Sequence, residues 1–288
     1  MISTIPQLFK TFQWLVQRPL FLVGGATVVT ISVIAVLAPI IAPYDPLKID
    51  VIKRLQPPSL QHFMGTDHLG RDLFSRVIFG ARISLMVGVT IAFTSSALGG
   101  ALGLLAGYFG KWLDNIIMRI CDMFFAFPPL ILAMAIAASL GPSLQNTMLA
   151  LVIVWWPRYA RLARSQVLVL RELDYVQAAK ASGAGHLRIM LKHVLPNAFS
   201  PILVQVTLDI GQAILMAASL GFLGFGAQPP TPEWGVIASE ARIYMRDQWW
   251  YPTFPSVMIL LTVLGFNLVG DGLRDVLDPR QRGRLSKS

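Results

Sequence analysis

Long apolar stretches alternate with short polar ones along this chain, and the apolar stretches have bilayer length. A bilayer core takes about 20 mostly apolar residues per helix. Runs of that kind lie at about Leu20 to Ala42, Ile83 to Gly107, Ile116 to Gly141-Pro142, Thr147 to Leu162, Ser200 to Gly224, and Phe254 to Gly270. The pattern predicts an all-α membrane protein with six transmembrane helices. Trp249-Trp250-Tyr251 precede the last run, as expected of aromatic anchors at a membrane surface. Before them, the proline-rich stretch Gln228 to Gly235 predicts an ordered external loop or a cavity lining. Val236 to Gln248 then predicts a short amphipathic helix near the surface, with Ile237, Ala241 and Tyr244 on one face.

Composition agrees with a lipid environment. Of 288 residues, 55% are hydrophobic and 14% charged, with mean hydropathy +0.61. A soluble domain carries about 25% charged residues. The net charge of +9 would suit nucleic acid in a soluble protein. Here the basic residues sit between apolar runs, so the positive-inside rule accounts for them and no nucleic-acid partner is expected. Arg164, Arg171, Lys180, Arg188 and Lys192 lie between runs four and five. Lys10 and Arg18 precede run one, and Arg274, Arg280, Arg282, Arg284 and Lys287 follow run six. Six spans put all three groups on one side, the cytoplasm. One loop opposes this: Lys48, Lys53, Arg54, Arg71, Arg76 and Arg82 fall outside, partly offset by Asp45, Asp50, Asp67 and Asp72. The start does not read as a cleavable signal peptide, because the uncharged run after Arg18 exceeds an h-region. A single cysteine, Cys121, excludes an intramolecular disulfide.

The polar segment from Arg171 to Gly183 stands out among the apolar runs. Small residues at Ala178, Ala179 and Gly183 offer a shallow surface to another protein, and Leu195-Pro196 is expected to stop the helix.

Catalytic chemistry is hard to find. The histidines His62, His68, His186 and His193 show no ligand spacing, so no metal site is expected. No G-x-x-x-x-G-K-[ST] phosphate loop occurs, so ATP hydrolysis by that route needs another chain. Gly99, Gly103 and Gly107 form a doubled G-x-x-x-G, suited to close helix packing within the chain or against a subunit. Asp209 lies inside run five, where a charge is expensive; it reads as a lining residue of a translocation path or as a structural hydrogen-bonding group. Asp122 follows Arg119 by three residues, the spacing of a helical ion pair. Gly65 to Asp72 predicts turns satisfied by aspartate side chains, or a contact with an external partner.

The polar segment resembles the E-A-A-x-x-x-G-x(9)-I-x-L-P loop of binding-protein-dependent ABC importer permeases, matching at Ala178, Ala179, Gly183, Leu195 and Pro196. Gln177 stands for the usual glutamate and His193 for the usual isoleucine, departures that resemble the peptide/nickel branch. Gly65 to Asp72, Gln228 to Gly235 and Gly270 to Pro279 look like the C-type permease of dipeptide, oligopeptide and nickel importers. The resemblance implies a type I importer fold in the cell inner membrane. It implies a second, B-type permease chain, two cytoplasmic ABC ATPases that bind the ATP and magnesium, and an external substrate-binding protein. This chain itself would hold no cofactor. Gln177, Ala178, Ala179, Gly183, Leu195 and Pro196 would couple it to an ATPase, through a coupling helix at about 171–190. The implied organisation is an N-terminal helix and external loop (1–81), a type-1 transmembrane domain (82–272) and a cytoplasmic tail (273–288).

Dipeptides or oligopeptides are the implied substrates, with nickel or a metal chelate as the alternative. An ion-coupled secondary transporter would need paired broken spans in two repeated halves, and no such repeat is visible. A membrane enzyme would need a buried histidine or carboxylate cluster.

Overall fold

The computed structural model describes residues 19–277. Among the described residues there are nine α-helices: α1 (Pro19–Ile41), α2 (Leu73–Phe109), α3 (Lys111–Phe125), α4 (Pro129–Leu140), α5 (Leu144–Leu170), α6 (Asp174–Ala181), α7 (His186–Phe222), α8 (Trp234–Ala241) and α9 (Trp250–Leu277). Among the described residues the β-type pairing is one isolated bridge, Thr66 with Asp72. The basic residues Lys10, Arg18, Arg280, Arg282, Arg284 and Lys287 lie outside the described residues, as does most of the expected tail. The expected divisions at 81/82 and 272/273 fall inside α2 and α9.

The expected six spans become four helices long and apolar enough to cross a membrane: α1, α2, α7 and α9. A fifth arises if α3 and α4 count as one span. Run three breaks there, with a bend of 92° where Pro128 and Pro129 cannot continue α3. Run four forms α5, whose 27 residues have the length, but Arg158, Arg161 and Arg164 interrupt its apolar character. Helices α2 and α7 both extend well beyond the apolar runs, to 37 residues or about 55 Å each.

Helix α2 is the spine. Gly99, Gly103 and Gly107 lie directly against α5: a methyl group on Gly99 would fall 2.2 Å from the Trp156 carbonyl oxygen, and one on Gly107 would fall 2.8 Å from Val167 Cβ. The G-x-x-x-G repeat therefore packs within the chain. Its other side meets α7, where Ile214, Ile210 and Ala213 join Val77, Ala81 and Ile91 in two adjoining cores. Helix α1 rides on the outside, seated by Gly24 against Leu268 and Gly265 of α9, with Leu20, Val23, Val29, Val36 and Ile40 left exposed to lipid.

The short helix after the proline-rich loop is not at the surface. It runs over Trp234–Ala241, with a 3₁₀ turn at Arg242–Tyr244, and Trp234 and Ile237 are fully buried. Trp234 and Gly235, read as loop, belong to this helix. Close approach explains the burial: a methyl on Gly235 would fall 2.4 Å from the Ala218 carbonyl oxygen of α7. Glu233 caps the helix by accepting from Val236 N at 3.0 Å, and Ser84 Oγ donates to its other oxygen at 3.1 Å. Burial pushes the Glu233 carboxyl above the usual carboxylate range, against the hydrogen bonds that favour its charged form.

The 42–72 loop is held by aspartates as the sequence suggests. Asp67 accepts from Leu69 N and Arg71 N, and Asp72 caps α2 through Ser75 N at 2.8 Å. What the sequence does not show is the partner across the fold. Glu240 of α8 accepts from Arg71 Nη2 at 3.1 Å and Arg76 Nη2 at 2.8 Å, while Asp67 takes Arg71 Nε at 2.5 Å. Burial lowers Arg71, but Asp67 and Glu240 outweigh it and hold the guanidinium above its ordinary value.

Candidate functional site

Two regions carry the residues singled out by sequence: the α6 segment and a cavity between α5, α7 and α9.

Helix α6 follows the C-terminus of α5 and lies beside the C-terminal end of α2, so the length of α2 separates it from the 42–72 loop. Val176 is fully buried and plugs into a small core of Leu104, Tyr108, Val167, Ile189, Met190 and Val194. Asp174 in its first turn and Lys180 in its last complement the helix dipole. The helix does not run on to Leu195-Pro196. It stops at Gly183, whose φ of +77° is the left-handed conformation of a helix C-cap. Ala184 N donates to Ala179 O at 3.1 Å and Gly183 N to Lys180 O at 3.0 Å, the paired bonds of that cap. Pro196 instead lies inside α7. A π turn over Met190–Val194 resets the hydrogen-bond register, with Leu195 N donating to Met190 O. Pro196 then occupies the first turn of the following α segment, where no N–H is needed.

The expected contact residues divide by exposure. Gln177, Ala178, Gly183 and Pro196 are exposed, whereas Ala179 and Leu195 are half-buried against the Val176 core. Gln177 Nε2 donates to Arg171 O at 2.8 Å, so it also closes the C-terminus of α5. The departure at His193 has a visible use of its backbone: its carbonyl accepts from Tyr175 Oη at 3.2 Å and Asn197 Nδ2 at 2.8 Å, tying α6 to α7. Leu173, Tyr175, Leu187 and Leu191 add exposed apolar surface around the helix.

The cavity has a volume of about 870 Å³ and is lined by Arg158 of α5, Gln205, Asp209 and Gln212 of α7, and Asn267, Asp271 and Arg274 of α9. Phe125, Pro128, Trp155, Leu208 and Met216 supply apolar wall. Asp209 is 2% exposed; Arg158 Nη1 donates to its Oδ1 at 2.9 Å and Gln205 Nε2 at 2.8 Å. Asp209 thus lines the cavity and also bonds to a neighbouring helix. Arg158 is missing from the sequence reading, although the rule that flags Asp209, a charge within an apolar run, applies to it equally. Asp122 pairs with Arg161 of α5, not with Arg119, and Asp114 pairs with Arg164. The amphipathic helix α3 is thereby pinned to α5 by contacts that no local spacing encodes.

Asp67, His68 and Glu240 bring possible metal-ligand atoms within 4.8 Å of one another. The two carboxylates already bind the guanidinium groups of Arg71 and Arg76, which a metal would have to displace. This is an ion-pair cluster by its chemistry.

Long apolar helices, an open cavity with charged and amide side chains on its wall and an exposed short helix joining two of the longest elements fit a polytopic membrane transport subunit. The chain belongs to the family of binding-protein-dependent transport system inner membrane components, which it matches over residues 99–283. Residues 9–58 match the N-terminal transmembrane domain of oligopeptide transport permease C. It is 48% identical over 274 residues to the probable D,D-dipeptide transport system permease protein of Escherichia coli K12, covering 95% of this chain and 92% of that protein. It is 47% identical to a dipeptide transport system permease protein of Alkalihalophilus pseudofirmus, covering 95% and 90%. It is 49% identical to a glutathione transport system permease protein of Shigella boydii, covering 89% and 85%. Among solved structures, a permease fold is shared with the inward-facing MetNI methionine ABC transporter, at TM-score 0.56 and 20% identity, over 70% of this chain and 97% of that one. The chain is thus an inner-membrane, multi-pass permease of the ABC importer class.

Proposed function

We propose that this permease forms half of the translocation path of a peptide importer, together with a second, B-type permease chain. Two cytoplasmic ATPases, which bind ATP and magnesium, drive it, and an external binding protein supplies dipeptides or oligopeptides. The observation that carries the reading is the mounting of α6. One face is locked to the bundle through Val176, while Gln177, Ala178 and Gly183 remain outward and available to a partner. A rigidly mounted, exposed helix with small side chains can pass a displacement from that partner into α5 and α7. The peptide substrate rests on the names of the three relatives.

The orientation that puts α6 and both termini in the cytoplasm rests on the lysines and arginines of the short segment around α6, Arg164, Arg171, Lys180, Arg188 and Lys192. Of the basic residues that oppose it, Arg71 and Arg76 pair with Asp67 and Glu240 and Lys53 lies 3.7 Å from Asp50, while Lys48, Arg54 and Arg82 make no ion pair among the described residues.

The test is uptake by the whole complex in proteoliposomes, with labelled alanyl-alanine in its L and D forms and ATP on the ATPase side. Saturable uptake that stops when the phosphate-loop lysine of the ATPases is replaced is the expected result. Nickel uptake that no peptide competes with would overturn the substrate class. Peptide uptake driven by a proton gradient without the ATPases would overturn the importer class.

A further inference from the structure

Arg158 has more hydrogen-bonding capacity than its structural role uses. A guanidinium carries five N–H donors in a planar fork. Among the described residues Arg158 makes one hydrogen bond, to Asp209, and its side chain is 49% exposed, on the wall of the cavity. Asp209 is buried, and Gln205 donates to the same oxygen, Oδ1, while Oδ2 has no hydrogen-bond partner among the described residues. A charge taken out of water is costly unless its remaining hydrogen-bonding groups are also satisfied, which leaves little stabilisation for a pair that only joins α5 to α7. This one is sealed on the acid side and open on the base side.

We propose that Arg158 is a carboxylate-binding residue on the translocation path, receiving the C-terminal carboxylate of a passing peptide on its free N–H groups. Asp209 is its positioning residue. The proposal rests on the peptide-importer reading. Arginine suits the task because its fork matches a carboxylate in two parallel bonds and its charge is permanent. The apolar wall formed by Phe125, Trp155 and Met216 strengthens the attraction by limiting solvent around it. The chemistry recognised is a group that every linear peptide with a free C-terminus carries, so the contact is indifferent to side-chain identity. Asp209 offsets part of the arginine charge, which keeps the contact weak enough for release.

The experiment reads the cavity directly, without the external binding protein. In the whole complex carrying Cys121→Ala, Gln212→Cys places a thiol on the cavity wall, where Gln212 is exposed. Its labelling rate by a small methanethiosulfonate is measured with alanyl-alanine, in the stereoisomer the complex takes up, and with the C-terminal amide of the same dipeptide. Millimolar dipeptide should slow labelling several-fold and the amide should not. Adding Arg158→Gln should remove the protection, and Arg158→Lys should retain part of it. Because the dipeptide and amide are compared with Arg158 intact, misfolding of the Arg158 variants leaves the outcome readable. Equal protection by the amide, protection surviving Arg158→Gln, or no protection at all in a complex that takes up the dipeptide would overturn the role of Arg158 alone. Absence of uptake of either stereoisomer by the unaltered complex would instead overturn the peptide reading.

Discussion

Gly103 of α2 and Ala160 of α5 touch through their backbones: a methyl group on Gly103 would stand 2.2 Å from the Ala160 carbonyl oxygen. Backbone cannot swing aside as a side chain can, so any larger residue must part the two helices. Overpacking of this kind costs about 1–3 kcal/mol. Gly103→Val should lower the melting temperature of the purified protein, whereas Gly100→Val, whose added carbon meets nothing within 4 Å, should leave it nearly unchanged. Equal melting temperatures for the two variants would show that α2 and α5 do not pack as described.

Glu240 is the hub of the loop-to-α8 junction, with Arg71 and Arg76 both bonded to it and both buried. Removing one partner of a buried pair leaves an uncompensated charge and costs about 3–5 kcal/mol. Glu240→Gln should therefore destabilise the protein strongly and release the 42–72 loop to limited proteolysis. Neutralising the whole cluster, with methionine at Arg71, Arg76 and Glu240 and Asp67→Asn, should recover much of the loss. A loop as protease-resistant in Glu240→Gln as in the wild type would refute the junction.

His68 sits in the same junction, its Nδ1 2.9 Å from Tyr251 Oη and its ring stacked on Tyr244 and Tyr251. Burial lowers its pKa below the ordinary 6.5, although Glu240 and Asp67 pull the other way and Arg71 and Arg76 assist burial. The folded state therefore binds fewer protons than the unfolded state just below that value, and stability rises with pH across the window. The contribution is complete above 6.5 and is lost as pH falls through the lowered value. Melting temperature should drop more for the wild type than for His68→Gln on going from about pH 7.5 to about pH 5. Parallel pH profiles would rule out a half-buried His68 that folding holds neutral.

Gly183 separates conformation from surface in the α6 segment. Its φ of +77° penalises any side chain with a Cβ, yet nothing lies within 4 Å of where that Cβ would be. Asparagine tolerates the left-handed region, while other L-residues incur about 1–2 kcal/mol there. Gly183→Asn should retain uptake by the whole complex, Gly183→Ala should lose some, and Gly183→Trp should lose uptake while ATP hydrolysis continues. Full uptake by the tryptophan variant would remove this surface from the ATPase contact.

How much of this was legible depended on range. The apolar runs announced long helices because lipid imposes a length that a single segment reveals. Gly183 was visible too, but as a small contact residue; its use as a helix stop was masked by Pro196, a stronger breaker in sequence that the π turn renders harmless. The expected Asp122–Arg119 pair failed for a general reason. Spacing on one helix says which residues share a face, but Arg161, on another helix, makes the better partner. Helix α8 was misplaced on the same grounds, since short amphipathic segments look alike whether water or Gly221 and Ala218 lie opposite. The cavity was half legible. Asp209 was found as a charge in an apolar run, and Arg158 was passed over because nearby arginines made it resemble a cytoplasmic flank.

The length of α7 has a mechanical consequence. Its 37 residues reach from His186, next to α6, past Asp209, to the seat of α8 near Gly221, with the π turn, Pro196 and Pro201 all on the α6 side of Asp209. Pivoted at its centre, a rod about 55 Å long swings each tip about 5 Å for every 10° or so of tilt, while a residue near the fulcrum hardly travels. Asp209 lies close to that midpoint. Its grip on Arg158 would thus survive rocking that opens one end of α7 and shuts the other.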